Sequence, residues 1–190
     1  MNENIVLTEV YNTYKINIVI DNNPADPMEH DNFGKMQCFH KNYIIGDNLE
    51  FNNSKDLINF IKNPDIISLP IYMYDHSGIT IKTTPFNCLW DSGQVGYIYV
   101  TKEAIKKEFN CKNLTKNILD KVYAILKSEV KTYDKYLTGG VFFYEIFDSN
   151  GDLKDSSYDY YDTPEDIMKY IKENVIKFYD YQLSFELQGV

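Results

Sequence analysis

Residues 67–100 restrict the fold more than any other stretch. Two runs rich in β-branched and aromatic residues, Ile67–Tyr74 and Val95–Val100, flank a segment with no helical period. They read as two or three antiparallel strands. Each run adjoins a small polar cluster, Asp75-His76-Ser77-Gly78 and Asp91-Ser92-Gly93-Gln94, and the lone tryptophan, Trp90, abuts the second. Strands that end in such residues bring polar groups to a sheet edge or mouth, where sites are commonly built.

The remaining pattern extends the sheet and adds helices. Ile5–Tyr11, Tyr14–Ile20 and Met36–His40 read as strands, and the Pro- and Asx-rich 21–34 segment reads as a long loop. Ser54 is placed to cap a helix over Lys55–Lys62, Thr101 one over Lys102–Phe109, and Thr115 a longer one reaching Leu137. In the longest, Ile118, Val122, Ile125, Leu126, Val130, Tyr133 and Leu137 keep helical spacing and predict one buried face. Val141–Phe147 and Ser156–Tyr161 frame a hairpin around the turn Ser149-Asn150-Gly151-Asp152. Thr163-Pro164 opens a last helix running to about Phe178, and Leu183–Leu187 reads as a final strand. The order lacks regular βα alternation, which predicts an α+β fold: a mainly antiparallel β-sheet with three to four helices packed on it.

Composition narrows the function. At 190 residues the expectation is a single globular domain over 1–190, with 44% hydrophobic and 25% charged residues. A net charge of −9 argues against a general nucleic-acid-binding surface. Arginine is absent, so guanidinium clamps on phosphate are excluded, and an anion must be met by lysine, backbone N–H or amide groups. Three cysteines without paired spacing, Cys38, Cys88 and Cys111, fit a reducing compartment better than a disulfide framework. The polar opening Met1-Asn2-Glu3-Asn4 does not read as a leader, and no apolar run approaches membrane-spanning length. A soluble, intracellular protein is expected.

The clusters admit several readings. Asp75-His76-Ser77 with Asp91-Ser92 holds the parts of a nucleophilic triad, but no nucleophile elbow surrounds either serine. Asp75 and His76 are adjacent on an extended chain and face opposite ways unless a turn redirects them. The same residues also make a good turn. Trp90 can stack on a base or sugar while Gln94 reads a polar edge, or it can be a core residue beside a β-bulge. No ligand pair of His or Cys has the spacing of a structural metal site, and no cofactor is expected. Tyr158, Asp159, Tyr160, Tyr161 and Asp162, with Asp148, Asp152 and Asp155, form an acidic, tyrosine-rich hairpin. It can imitate a nucleic-acid backbone toward a partner's basic groove, or serve as an edge protected by charge.

Several segments resemble an uncharacterised family of phage and mobile-element proteins. They run from Asp21-Asn22-Asn23-Pro24 through Asp31-Asn32-Phe33-Gly34, Cys38-Phe39-His40-Lys41 and Ile45-Gly46-Asp47. They continue through Leu69–Ile79, the long motif Pro85-Phe86-Asn87-Cys88-Leu89-Trp90-Asp91-Ser92-Gly93-Gln94-Val95-Gly96-Tyr97-Ile98-Tyr99-Val100, and Glu129–Gly139. After Ser156 the chain departs from the family's pattern. The resemblance implies carriage by phage and residence in the host cytoplasm. It brings with it the expectation of an accessory protein that counteracts host antiviral defence by stoichiometric binding. The expected partner is a defence component or its nucleotide-like signal, held by His40, Asp75, His76, Ser77, Trp90, Asp91, Ser92 and Gln94. Two other expectations stand beside it: an acidic inhibitor presenting Tyr158–Asp162 to a nuclease or CRISPR effector, and a small hydrolase using His76, Asp91 and a serine.

Overall fold

In the computed structural model, which describes residues 4–88 and 90–181 and all their side chains but those of Asp159 and Tyr160, the chain forms two compact units. One comprises Met1–Ala25 and Gly139–Val190, the other Asp26–Thr138. Each is built on an antiparallel sheet of four strands, and four α-helices are distributed between them, so the fold is α+β as expected.

The unit made from both ends of the chain has strands β1 (Ile5–Tyr11) and β2 (Tyr14–Ile20). The middle unit follows with β3 (Lys35–Cys38), α1 (Ser54–Ile61), β4 (Ile66–Asp75), β5 (Ile79–Lys82), β6 (Ser92–Thr101), α2 (Lys102–Glu108) and α3 (Lys116–Leu137). The chain then returns as β7 (Phe142–Phe147), β8 (Leu153–Tyr160) and α4 (Pro164–Tyr170).

In the first unit the strand order is β1-β2-β7-β8, every pair antiparallel. Tyr14, Ile16 and Ile18 alternate along β2 and meet Tyr144 and Ile146 of β7 under Ile167, Met168 and Ile171. The last helix starts as expected, with Thr163 Oγ1 accepting from the Asp166 N–H at 3.2 Å. It does not run on uniformly: a π-helical segment, Ile171–Ile176, follows α4. That segment buries Ile171 and Ile176. The expected strand Leu183–Leu187 lies outside the described residues.

In the middle unit the order is β3-β6-β4-β5. One face of this sheet carries Met36, Cys38, Ile71, Met73, Ile81, Ile98 and Val100 against the stripe Val122, Leu126, Val130 and Tyr133 of α3. Tyr99, one residue out of phase with Ile98 and Val100, faces the other way. There it joins Phe60 of α1 and Phe51 in a cluster with ring centroids 5.2–6.3 Å apart. The cap of α1 is Asn53 rather than Ser54: its Oδ1 accepts from the Lys55 and Asp56 N–H groups at 3.0 and 3.1 Å. Asn and Ser cap about equally well, and the extended backbone of Asn53 decides between them.

Three side chains of α3 tie two loops and strand β5 to this core. Glu129 accepts from the Phe33 and Gly34 N–H groups at 2.7 and 2.9 Å. Tyr133 Oη accepts from the Gly46 N–H at 3.1 Å. Asp134 accepts from Thr80 Oγ1 at 2.6 Å and from the Ile81 N–H at 2.8 Å. Burial raises the Glu129 carboxyl above its ordinary range, and the two N–H bonds work against that rise.

Candidate functional site

The polar clusters meet at one end of the middle unit's sheet. Asp75 ends β4, and the chain reverses through His76-Ser77-Gly78 to pair Asp75 with Ile79. The reversal is tight: Ser77 and Gly78 have φ of 58° and 147°, and the His76 N–H donates to the Gly78 carbonyl at 3.1 Å. The Asp75 N–H donates to the Asp91 carbonyl at 2.8 Å, which fixes the approach to β6 beside the end of β4. In β6 the register slips at Val95, since Ile71 pairs with Gly96 but Tyr72 pairs with Gln94. This bulge turns the Val95 carbonyl toward the chain leaving β3, where it accepts from the Phe39 N–H at 2.8 Å. Gly96 is required next to it, because a Cβ there would lie 2.0 Å from the Gln37 carbonyl oxygen.

These elements enclose an open hollow of about 410 Å³ lined by Phe39, His40, Met73, Asp75, and the segment from Trp90 to Val95. The expected residues His40, Asp75, Trp90, Asp91, Ser92 and Gln94 therefore share one wall system. Trp90 stands at its rim with 96% of its surface in water, which excludes the reading of a core tryptophan, although the bulge of that reading is present. Tyr43, which sequence reasoning passed over, donates its hydroxyl to Asp75 Oδ1 at 3.2 Å and stacks its ring on His40 at 5.1 Å, 14° from parallel. The bond to Asp75 raises the Tyr43 phenol above its ordinary value. His40 Nδ1 accepts from the Asn42 N–H at 3.3 Å, which leaves the proton of a neutral ring on Nε2.

His76 and Ser77 stand apart from the hollow's lining. The imidazole stacks on Tyr74, itself stacked on Phe86, with ring centroids 5.9 and 5.6 Å apart, and the Lys82 ammonium lies 4.1 Å from the Phe86 ring centre. Asp75 and His76 thus keep the opposed directions of adjacent strand residues. His76 reaches the site only through Asp91, whose Oδ2 lies 3.5 Å from His76 Nδ1 and 3.8 Å from the Cys88 thiol. Ser92 donates its hydroxyl to the Cys88 carbonyl, so the Asp–His half of a triad has no serine aligned on it there. Among the described residues, no three His, Cys, Asp or Glu side chains are grouped to hold a metal ion.

The loop from residue 41 to 50 follows the hollow's Phe39 and His40 and is held to β3. Asp47 Oδ2 accepts from the Met36 N–H at 2.7 Å, and its own N–H donates to the Met36 carbonyl at 2.9 Å. The buried Gln37 amide donates to the Asn48 carbonyl at 2.9 Å and accepts from the Glu50 N–H at 2.8 Å. Cys38 is buried between these anchors, and burial pushes its thiol up to about 12.

The acidic hairpin is arranged differently from a row of displayed carboxylates. Asp148 accepts from the N–H groups of Asn150 and Asp152, at 2.9 and 3.0 Å, and pairs with Lys154 at 3.2 Å. Asp155 accepts from Tyr144 Oη at 3.0 Å. Both are internal fasteners of the turn and sheet. Tyr158 is exposed on the edge strand β8 and stacks on Phe143 at 5.0 Å, and Asp162 is exposed beyond it. Tyr161 is partly buried. The side chains of Asp159 and Tyr160 lie outside the described residues.

No helix among the described residues is long and apolar enough to cross a membrane. No protein-family model, no curated protein and no solved structure matches this chain.

Proposed function

We propose that this chain is a stoichiometric binder, carried by phage, that counteracts host defence by holding a nucleotide-like signal in the hollow beside Trp90. One observation carries the reading: the only tryptophan stands in water at the rim of a hollow furnished with His40, Asp75, Asp91 and Gln94. Leaving a large apolar ring exposed forgoes on the order of 2 kcal/mol of burial, so an exposed indole beside polar groups favours a partner that covers it. A flat ring stacks on a flat ring. The two carboxylates accept from ribose hydroxyls or exocyclic amines, and Gln94 offers both a donor and an acceptor. The hollow is within the size range of small-molecule sites.

The biological setting rests on the resemblance of residues 85–100 to phage and mobile-element proteins. On this reading the chain works in the host cytoplasm and removes a signal by occupancy, without turnover. The Ser92 bond to Cys88 supports binding over hydrolysis.

The test is a fluorescence and calorimetric titration with cyclic nucleotides and ADP-ribose. Binding should quench the Trp90 emission with a stoichiometry near one, and Trp90→Ala should weaken binding sharply while circular dichroism stays unchanged. A folded protein that gives no heat with any of these compounds overturns the reading.

A further inference from the structure

A second hollow of about 530 Å³ adjoins the first and shares Phe39 and His40 with it. It is also lined by Lys41, Tyr43, Ile44, Ile45 and Leu49. We infer that the two hollows take one ligand: two flat groups joined by a short anionic linker, a dinucleotide, laid across His40. This rests on the nucleotide reading above and names the ligand class.

Three observations converge on it. Each hollow has one large apolar side chain left almost wholly in water, Trp90 at 96% and Ile44 at 95%, so each offers an apolar surface to a flat group. His40, common to both, is stacked on Tyr43, whose hydroxyl is held to Asp75. A neutral His40 offers its ring N–H at Nε2, since Nδ1 accepts from the Asn42 N–H. Charge is divided in the same way. The first hollow is lined by Asp75 and Asp91 and by no lysine, whereas the second holds Lys41. The acid of the second, Asp47, has its carboxylate turned onto the Met36 N–H. A hydroxyl- and amine-bearing nucleoside therefore suits the Trp90 side, and the linker phosphate suits the Lys41 side.

Two linked subsites make the second contact intramolecular, so a dinucleotide gains over a mononucleotide without any new kind of contact. Calorimetry with the intact chain compares linear and cyclic di-adenylate and di-guanylate with AMP and GMP, using wild type, Trp90→Ala and Ile44→Ser. At least one dinucleotide should bind about 100-fold or more tighter than its mononucleotide. Either substitution should reduce it to mononucleotide strength, with melting temperature and circular dichroism unchanged. Equal affinities for mono- and dinucleotides, or a dinucleotide affinity insensitive to Ile44→Ser, overturn the two-subsite inference while the nucleotide reading stands. No heat from any of these compounds or from ADP-ribose with folded protein overturns both.

Discussion

The Tyr43 hydroxyl donates to Asp75 Oδ1 at 3.2 Å and so joins the loop after β3 to the last residue of β4. A phenol that donates to a carboxylate loses its proton reluctantly, because deprotonation sets two anions against each other. The Tyr43 ring should therefore ionise at higher pH than an ordinary tyrosine. Asp75→Asn should return it toward the usual value, read as the pH dependence of the Tyr43 ring carbon by NMR. A raised folded value also means that this contribution to stability is complete below the unfolded pKa and is lost as pH rises through the folded one. A Tyr43 titration that does not respond to Asp75→Asn would show the two groups to be independent.

Trp90 provides a test of exposure. An indole in water in the folded protein should emit with almost the same maximum before and after unfolding in guanidinium chloride. Trp90→Ala should change the free energy of unfolding by less than about 0.5 kcal/mol. A strong red shift on unfolding would place the ring in an apolar environment and remove the rim of the site.

Gly96→Ala should be costly. Its Cβ would sit 2.0 Å from the Gln37 carbonyl oxygen and 2.7 Å from Cys38 Cα, and both are backbone atoms that cannot swing aside. Separating β3 from β6 also strains the Phe39 to Val95 bond that shapes the hollow. A loss on the order of 3 kcal/mol is expected from urea unfolding, together with weakened ligand binding. A fully stable Gly96→Ala protein would contradict the β3–β6 register.

Glu129 should give the middle unit a distinct acid response. Its carboxyl is raised, chiefly by burial, so the folded state holds the proton longer than the unfolded state. Stability from this group is therefore fully present below the unfolded carboxylate range and declines as pH rises through the folded value. Glu129→Gln should remove that part of the pH dependence, seen as the difference between the two urea-midpoint profiles. The variant should also lose stability at every pH, because the amide has one acceptor oxygen for the two N–H groups of Phe33 and Gly34. Parallel profiles for the two proteins would refute the shift.

The pattern of residues carried the strands and the α3 stripe well, because both are local periodicities. Val122, Leu126, Val130 and Tyr133 are buried on one side of α3 as their spacing demands. The order β3-β6-β4-β5 was not legible, since pairing Met36 with Ile98 depends on contacts far apart in sequence. The same limit hid Tyr43, an ordinary loop tyrosine until it is seen beside His40 and Asp75. Strand alternation correctly separated Asp75 from His76, which now faces Tyr74. Composition gave no hint that Asp148 and Asp155 are occupied within their own hairpin, because a carboxylate bonded to N–H or O–H groups and one facing water read the same in sequence.

Cys38 differs in kind from its two relatives. A thiol whose proton is held up to about 12 presents almost no thiolate at neutral pH, and only the thiolate attacks an electrophile. Maleimides and mild oxidants should therefore pass it by and find the half-exposed Cys88 and Cys111. Since Cys88 lies against Asp91, a dye attached there would sit at the mouth of the Trp90 hollow. After Cys111→Ser, the protein carries its own labelling point for watching that mouth fill.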